Sequence, residues 1–224
     1  NDIVAYYPLD GSSEVKGLDF NNSAIQLPMT FSYTNHAISM WVYNNSTSKT
    51  IFCARDNSGD GIRIASDSSQ RFLYRINATN ATVATAYVNQ WVHLFCTYDG
   101  TRMYVYVNGV QVKTNATSQT IDTTTNARIG SNSYEDSFYF GGFISSVALY
   151  SAYKSADEVL TIYNNGIGGD ESSNSNLVGY YKLDNTTTAT DLSGNNNNGT
   201  VGSGATLISA GTTDSVGNND GVLN

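Results

Sequence analysis

WVHLFCTYDGTRMYVYVNGV, residues 91–110, carries the clearest structural signal of the chain. It contains two turn signals, Asp99-Gly100 and Asn108-Gly109, because both pairs tolerate the positive φ that hairpin turns require. Between the turns, residues 103–107 alternate between Met or Val and Tyr, which is the period of a strand with one buried face. The segment therefore predicts two antiparallel hairpins in a sheet with an aromatic side.

Short apolar runs of the same kind recur along the chain at the spacing of a two-sheet sandwich. One segment, Ser155–Tyr163, has a helical pattern, because Ser155 can cap it and Asp157 and Glu158 favour the helix N-terminus. We therefore expect an all-β, two-sheet antiparallel sandwich with one short C-terminal helix. The predicted strands are Val4–Leu9, Ala24–Leu27, His36–Tyr43, Lys49–Arg55, Gly61–Ala65, Arg71–Ile76, Trp91–Tyr98, Met103–Val107, Val110–Thr114, Ala127–Ile129 and Phe143–Tyr150.

Composition limits the class of protein. The chain has 224 residues, of which 40% are hydrophobic, which is enough for a sizeable core. Its formal net charge of −8 argues against a nucleic-acid partner, since a polyanion needs a basic patch. No apolar run of about 18 residues occurs, so no membrane span is predicted. The first residue, Asn1, follows no leader, which indicates a processed or excised piece.

The two cysteines, Cys53 and Cys96, both lie in apolar strand-like runs. They fit a pair of buried free thiols, and they also fit a single cross-strand disulfide.

An internal repeat indicates how the chain is organised. Ile3–Asp10 (IVAYYPLD) returns as Leu177–Asp184 (LVGYYKLD), and the stretch between 168 and 176 is polar. We therefore expect a complete domain at 1–167, a linker at 168–176, and a partial second repeat or extension at 177–224. So short a tail cannot build a core alone, so either the chain is cut within a repeat or the tail packs on its neighbour. In the tail, Tyr180–Leu183 are predicted to form a strand and Asn195–Asn198 a loop.

Several motifs stand in a fixed order along residues 3–165: Tyr6–Asp10, Leu18–Ser23, Ile38–Val42, Trp91–Gly100, Tyr104–Gly109, and Gly142–Tyr150 followed by the helical pattern. Together they resemble a laminin G-like, concanavalin A-like jelly-roll domain, in the branch that also contains pentraxins. The resemblance implies a jelly roll of about a dozen strands, with a short helix after the last core strand. In the tail, Asp191–Asn195 resembles the family's N-terminal loop, which the first copy lacks.

Two loops carry the oxygen donors that calcium prefers. They resemble the two pentraxin segments that hold calcium, although the second lacks a further amide, which puts a second calcium in doubt. The alternative is that the first loop is a solvated hairpin tip, since Asx and Gly favour turns. A weaker metal candidate is Asp191 with Ser193 and Asn195. The predicted Ca²⁺ ligands of the two loops are Asp56, Asn57, Asp60, Glu135 and Asp136.

Aromatic residues surround the acids of the second loop. Tyr134, Phe138 and Tyr139 are the predicted ligand-contact surface, because a solvated loop seldom holds so many rings. Most other aromatic residues are expected to fill the core or cover a sheet.

Catalysis is not predicted. Glycosidases of this fold carry paired carboxylates in the pattern Glu-x-Asp-x-x-Glu, whereas Glu135 and Asp136 are adjacent and would face opposite ways on a strand. His36 and His93 are the two histidines, and no serine stands in a nucleophile-elbow context.

The sequence thus predicts a non-catalytic binding or adhesion module of a larger extracellular or virion-surface protein. It would recognise a glycan or a protein through edge loops, assisted by calcium, beside neighbouring repeats or subunits. The alternative is a structural assembly or decoration subunit of a phage or other virus particle that binds no sugar.

Overall fold

The computed structural model describes residues 16–121 and 125–209. Within these ranges the chain forms sixteen strands and one helix, α1 (Ala156–Asn164). The strands are β1 (Lys16–Phe20), β2 (Ile25–Thr30), β3 (His36–Asn44), β4 (Thr50–Arg55), β5 (Gly61–Ser66), β6 (Arg71–Ile76), β7 (Thr79–Ala86), β8 (Trp91–Tyr98), β9 (Arg102–Val107), β10 (Val110–Ala116), β11 (Asn126–Ile129), β12 (Gly142–Tyr150), β13 (Leu177–Tyr181), β14 (Thr188–Ala189), β15 (Gly199–Val201) and β16 (Ala205–Ser209).

The described strands form two antiparallel sheets that pack face to face. Sheet A has the order β10-β9-β8-β3-β12-β1-β16, and β13 also pairs with β12. Sheet B has the order β14-β15-β2-β11-β4-β5-β6-β7. The predicted two-sheet antiparallel jelly-roll sandwich with one short helix is therefore confirmed. The predicted strand Val4–Leu9 lies outside the described residues.

The core lies between the sheets because the strands alternate in side-chain direction. Met40 and Val42 on β3 and Ile62 and Ile64 on β5 belong to this core, and all four are fully buried. Burying an aliphatic side chain of this size contributes about 1.5–3 kcal/mol. Cys53 in sheet B and Cys96 in sheet A are buried free thiols, so the first interpretation of the cysteines holds and the cross-strand disulfide does not.

Helix α1 covers the outer face of sheet A. Ser155 and Glu158 form the capping box that starts it, and Val159 and Ile162 are buried against the sheet. The helix also places Tyr163 on Trp41, with ring centroids 5.9 Å apart. No described helix covers sheet B, but the segment 130–141 packs on its outer face at β4, where the Ser133 hydroxyl lies 3.2 Å from Cys53 Sγ. Neither is any described helix long and apolar enough to span a bilayer.

The tail from residue 177 adds strands to both sheets. β13 pairs with β12 through Tyr181 and Val147, β15 pairs with β2, and β16 pairs with the whole of β1. Tyr180, Tyr181 and Leu183 are buried in the cores. β13 ends at Tyr181, before Leu183, and residues 195–198 form a loop. The first copy of the repeat, Ile3–Asp10, lies outside the described residues.

Candidate functional site

The two loops predicted to bind calcium are neighbours at one end of β4. The first is the β4–β5 turn, and the second is the segment 130–141 between β11 and β12. Ser133 joins them, because its hydroxyl accepts a hydrogen bond from Arg55 N at 2.9 Å and donates one to Arg55 O. The two loops are therefore adjacent, but their carboxylate oxygens are engaged in other contacts.

Asp56 uses its carboxylate to close its own turn. Its Oδ1 accepts the backbone N–H groups of Ser58, Gly59 and Asp60 and the Ser58 hydroxyl. The hydrogen bonds, led by that of the Ser58 side chain, hold the pKa of Asp56 below its usual value. Asn57 and Asp60 are exposed on the same turn. The arrangement is that of an Asx-stabilised hairpin tip.

Asp136 is paired with an arginine. Its Oδ1 lies 2.6 Å from Arg128 Nη1, so a guanidinium group occupies the position in which a cation would meet this carboxylate. Glu135 accepts a hydrogen bond from Asn132 Nδ2 at 3.1 Å. Among the described residues, no three His, Cys, Asp or Glu side chains are close enough together to hold a metal. The donors present do not form a calcium cage as arranged, and calcium binding stays a prediction.

The residues of the weaker metal candidate, Asp191, Ser193 and Asn195, also make hydrogen bonds within the protein. Asp191 accepts hydrogen bonds from the backbone N–H groups of Tyr180, Ser193 and Asn197. Asn195 Nδ2 donates to Leu177 O and to the Ser193 hydroxyl. These contacts fasten the loop to the outer side of β13.

A cleft of about 310 Å³ lies beside the ion pair of Asp136 and Arg128. We call it the edge cleft. It is bounded by β2, β11, the segment 130–141 and the residues that follow β15. Its lining includes Gln26, Arg128, Asp136, Tyr139, Thr200 and Ser203.

The sequence anticipated two of the six, Asp136 and Tyr139. The other four were missed, because they come from strands and from the tail. Gln26 and Arg128 are direct cross-strand partners, with Arg128 Nε donating to Gln26 Oε1 at 2.6 Å. The outward position of Arg128 in a short strand was the only signal that could have found it.

The three predicted ligand-contact residues are divided between two surfaces. Tyr139 lines the edge cleft. Phe138 is 46% exposed, and its ring centroid lies 5.2 Å from Cζ of Arg63 on sheet B. Tyr134 is half-buried, with its hydroxyl 3.5 Å from Asn132 Nδ2. Phe140, the remaining ring of the segment, is part of the core.

A buried polar cluster lies where residues 168–176 pack on sheet A, and Glu171 of that segment belongs to it. The Ser39 hydroxyl lies 2.9 Å from His93 Nε2 and 3.3 Å from Glu171 Oε1, and Tyr150 also donates to Glu171. Ser39, His93 and Glu171 are all buried. Burial lowers the pKa of His93 to about 3 and raises that of Glu171 to about 7. A reactant could not reach these groups, so the cluster fastens residues 168–176 to sheet A.

Comparisons with known proteins agree with this architecture. A laminin G family model, described as the concanavalin A-like lectin/glucanases superfamily, matches residues 19–160. No curated protein sequence matches the chain.

Similar solved structures come from several organisms. A Bacteroides ovatus protein to which carbohydrate binding has been ascribed has a TM-score of 0.71 and 18% identity, over 88% of this chain and 60% of that one. A native heptameric SAP-like pentraxin from Limulus polyphemus has a TM-score of 0.61 and 14% identity, over 87% and 94%. Domain 4 of an extracellular arabinanase from Geobacillus stearothermophilus, in complex with arabinotriose, has a TM-score of 0.52 and 18% identity, over 66% and 76%. At these identities the likeness concerns the fold.

Proposed function

Because the chain belongs to the laminin G group of the concanavalin A-like lectin/glucanases superfamily, we propose that it is a non-catalytic binding module. It recognises a glycan or a protein ligand through the loops at the edge of the sandwich. It acts as part of a larger extracellular or virion-surface protein, next to further repeats or subunits.

The edge cleft is the observation that carries this proposal. Arg128 and Asp136 offer charged donors and acceptors, Gln26 and Ser203 offer neutral ones, and Tyr139 offers a ring. A concave surface with an aromatic face and a few convergent polar groups is typical of sites for small polar ligands. The ascribed carbohydrate binding of the Bacteroides protein and the arabinotriose complex of the arabinanase domain favour a sugar as the ligand.

The carboxylates of the described residues favour binding over hydrolysis. A glycosidase needs two accessible carboxyl groups with different pKa values on either side of the scissile bond. Asp136 is held in an ion pair with Arg128. Glu171, whose pKa is about 7, is buried on sheet A and not in the cleft.

A glycan array tests the proposal. We expect wild-type chain to bind a defined set of glycans and Tyr139→Ala to weaken that binding about tenfold, since an aromatic contact contributes about 1 kcal/mol or more. Tyr153→Ala is the matched control, because Tyr153 is half-buried beside Tyr104, on sheet A. An array on which wild type binds nothing, or on which the two variants behave alike, would reject the edge cleft as the site.

A second candidate, an assembly subunit, is favoured by the repeat. β13 fills the edge of β12, and Ile3–Asp10 shares five of its eight residues with Leu177–Asp184, so this segment of one chain would compete with β13 for β12 of another. Light scattering should then give a concentration-dependent mass above 24.1 kDa, reduced to the monomer by deletion of residues 1–10. A full chain that stays monomeric at all concentrations removes this candidate.

A further inference from the structure

The outer face of sheet B carries arginines in one line across its strands. Arg63 on β5 lies directly opposite Arg75 on β6, while Cys53 on β4 separates Arg63 from Arg128 on β11. The three arginines are half-buried, and the residues before and after each of them are buried in the core. Because strand side chains alternate, the three guanidinium groups leave the sheet on its outer face, where Ser133 covers Cys53 and separates Arg128 from Arg63 and Arg75.

Arg63 and Arg75 form, with Arg55, a group of cations that we call the arginine cluster. None of the three has a carboxylate partner among residues 16–121 and 125–209. Their Nε atoms donate to neutral oxygens instead, two of them backbone carbonyls and one a threonine hydroxyl. The positive charge of the cluster is therefore not neutralised by the described protein.

Holding these charges together costs stability. Like charges directly opposite each other on neighbouring strands are destabilising, and Arg63 faces Arg75 in this way. Burial lowers the pKa of Arg63 most strongly, Cys53 and Tyr134 raise it, and the positive charges of Arg55 and Arg75 lower it by a lesser amount. The chain has 19 acidic residues, yet none of the described ones pairs here. An anion bound beside the arginine cluster would remove this cost.

Aromatic side chains border the arginine cluster. The exposed ring of Phe138 lies against Arg63, and Tyr134 is close enough to raise the pKa of both Arg63 and Arg75. A ring beside guanidinium groups offers an apolar face and charged, fork-shaped donors to the same ligand. A sugar with an acidic substituent has both matching features.

We infer that the arginine cluster binds the carboxylate or sulfate groups of an acidic polysaccharide that lies across the strands of sheet B. The inference rests on the proposed function, because it names the class of glycan. Arg63 and Arg75 lie on neighbouring strands about 4.8 Å apart and Arg55 adds a third charge, so the cluster offers several cations side by side, which suits a polyanion better than a single small anion. Arginine is also the side chain that meets planar carboxylate and sulfate-like oxygens in a bidentate way.

Three dextrans with the same sugar backbone distinguish binding to the acidic groups from binding to the sugar itself. They are dextran sulfate, carboxymethyl dextran and unmodified dextran. Titration calorimetry of the whole chain, at several salt concentrations, should show binding of a charged dextran and weaker binding of the neutral one. The double variant Arg63→Gln with Arg75→Gln should bind the charged dextran about tenfold or more weakly than wild type does. It should also reduce the slope of log affinity against log salt by about two, one for each lost cation. The charged dextran that binds more tightly identifies the preferred group, which is sulfate or carboxylate.

The matched control is Arg102→Gln with Lys113→Gln, which removes the same charge from sheet A and should change affinity by less than about twofold. If the two double variants bind alike, or if the neutral dextran binds as well as the charged ones, the inference is overturned while the proposed function stands. If wild-type chain binds no glycan of any kind, the proposed function itself fails. Poly-L-glutamate that binds as tightly as the charged dextrans would assign the cluster to a protein partner and also overturn the inference.

Arg63 is the more enclosed member of the pair, and its Nε donates to the Thr50 hydroxyl at 2.9 Å. Should the double variant fail to fold, Arg75→Gln alone replaces it, with an expected decrease of the salt slope of about one. An unchanged slope in that single variant contradicts the inference in the same way.

Discussion

Glu171 should make the stability of the sandwich depend on pH, and Glu171→Gln should abolish that dependence. Burial raises the pKa of Glu171 from 4.5 to about 7, although hydrogen bonds from Tyr150 and Ser39 lower it; nearby Asp170 raises it and Lys154 lowers it. Because the folded-state pKa lies above the unfolded one, the stabilisation is complete below pH 4.5 and is lost as the pH rises through 7. The difference of about 2.5 pKa units corresponds to about 3 kcal/mol.

The amide of Glu171→Gln cannot lose a proton, and it can still exchange hydrogen bonds with the two hydroxyls of Ser39 and Tyr150. The free energy of unfolding of the variant, minus that of wild type, should therefore rise by about 3 kcal/mol between pH 4.5 and pH 8. His36 and His93 act in the opposite direction, because burial lowers their pKa values to about 4 and about 3, so their contribution is lost in acid. Both proteins contain these histidines, so their effect cancels in the difference.

Urea unfolding at several pH values, followed by the fluorescence of Trp41 and Trp91, measures this difference. The matched control is Asp170→Asn, the exposed neighbour, whose pKa is lowered by hydrogen bonds from Ser172. Its difference from wild type should change much less than that of Glu171→Gln above pH 4.5, because this carboxyl is ionised in both states there and only its lesser effect on the pKa of Glu171 is lost. A flat curve for Glu171→Gln would refute the reasoning and show that residues 168–176 do not bury the Glu171 carboxyl.

Three further predictions test the calcium loops, the tail and the helix. Calcium binding requires Asp136 to leave Arg128, so Arg128→Gln should increase the calcium-dependent rise in Tm over that of wild type; no rise with either protein rejects calcium here. A chain that ends at Gly169 loses the buried Tyr180 and its neighbours in the cores, and calorimetry should find no cooperative unfolding, whereas an unchanged Tm would contradict the packing of the tail. Ser155→Ala removes the helix cap and should cost about 1 kcal/mol in urea unfolding, and an equal loss for exposed Ser172→Ala would assign the effect to something else.

Sequence patterns were sufficient for most strands that carry their own apolar face, although β1, which buries Leu18 and Phe20, was missed. β8 and β12 are long and buried almost throughout, and both were predicted within one residue of their bounds. β7 was missed, because this edge strand reads TNATVATA and buries only Ala81 and Val83. The strands after β13 were missed because β14 and β15 have only two and three residues, and β16 buries only Ala205.

The site was harder to predict than the fold because it depends on register. Asp136 was interpreted as a metal ligand from its type and its loop, but its partner is Arg128, on the strand before. The opposition of Arg63 and Arg75 follows from the hairpin between β5 and β6, and the sequence does not fix the alignment of β11 with β4. Long-range strand order, set by the core as a whole, decides which polar residues share a face.

Because β16 pairs with β1, the boundaries of the sequence repeat differ from the boundaries of the folded unit. The repeated segment starts at Leu177, but its strands close the sandwich of the residues before it, with Ser209 opposite Lys16. Joining Ser209 to Lys16 and opening the chain in the segment 165–176 would give a circular permutant. Its two sheets would be the same, but the strands would follow one another in a different order along the chain. In a protein built from such repeats, a boundary drawn between sequence copies would cut through a hydrophobic core.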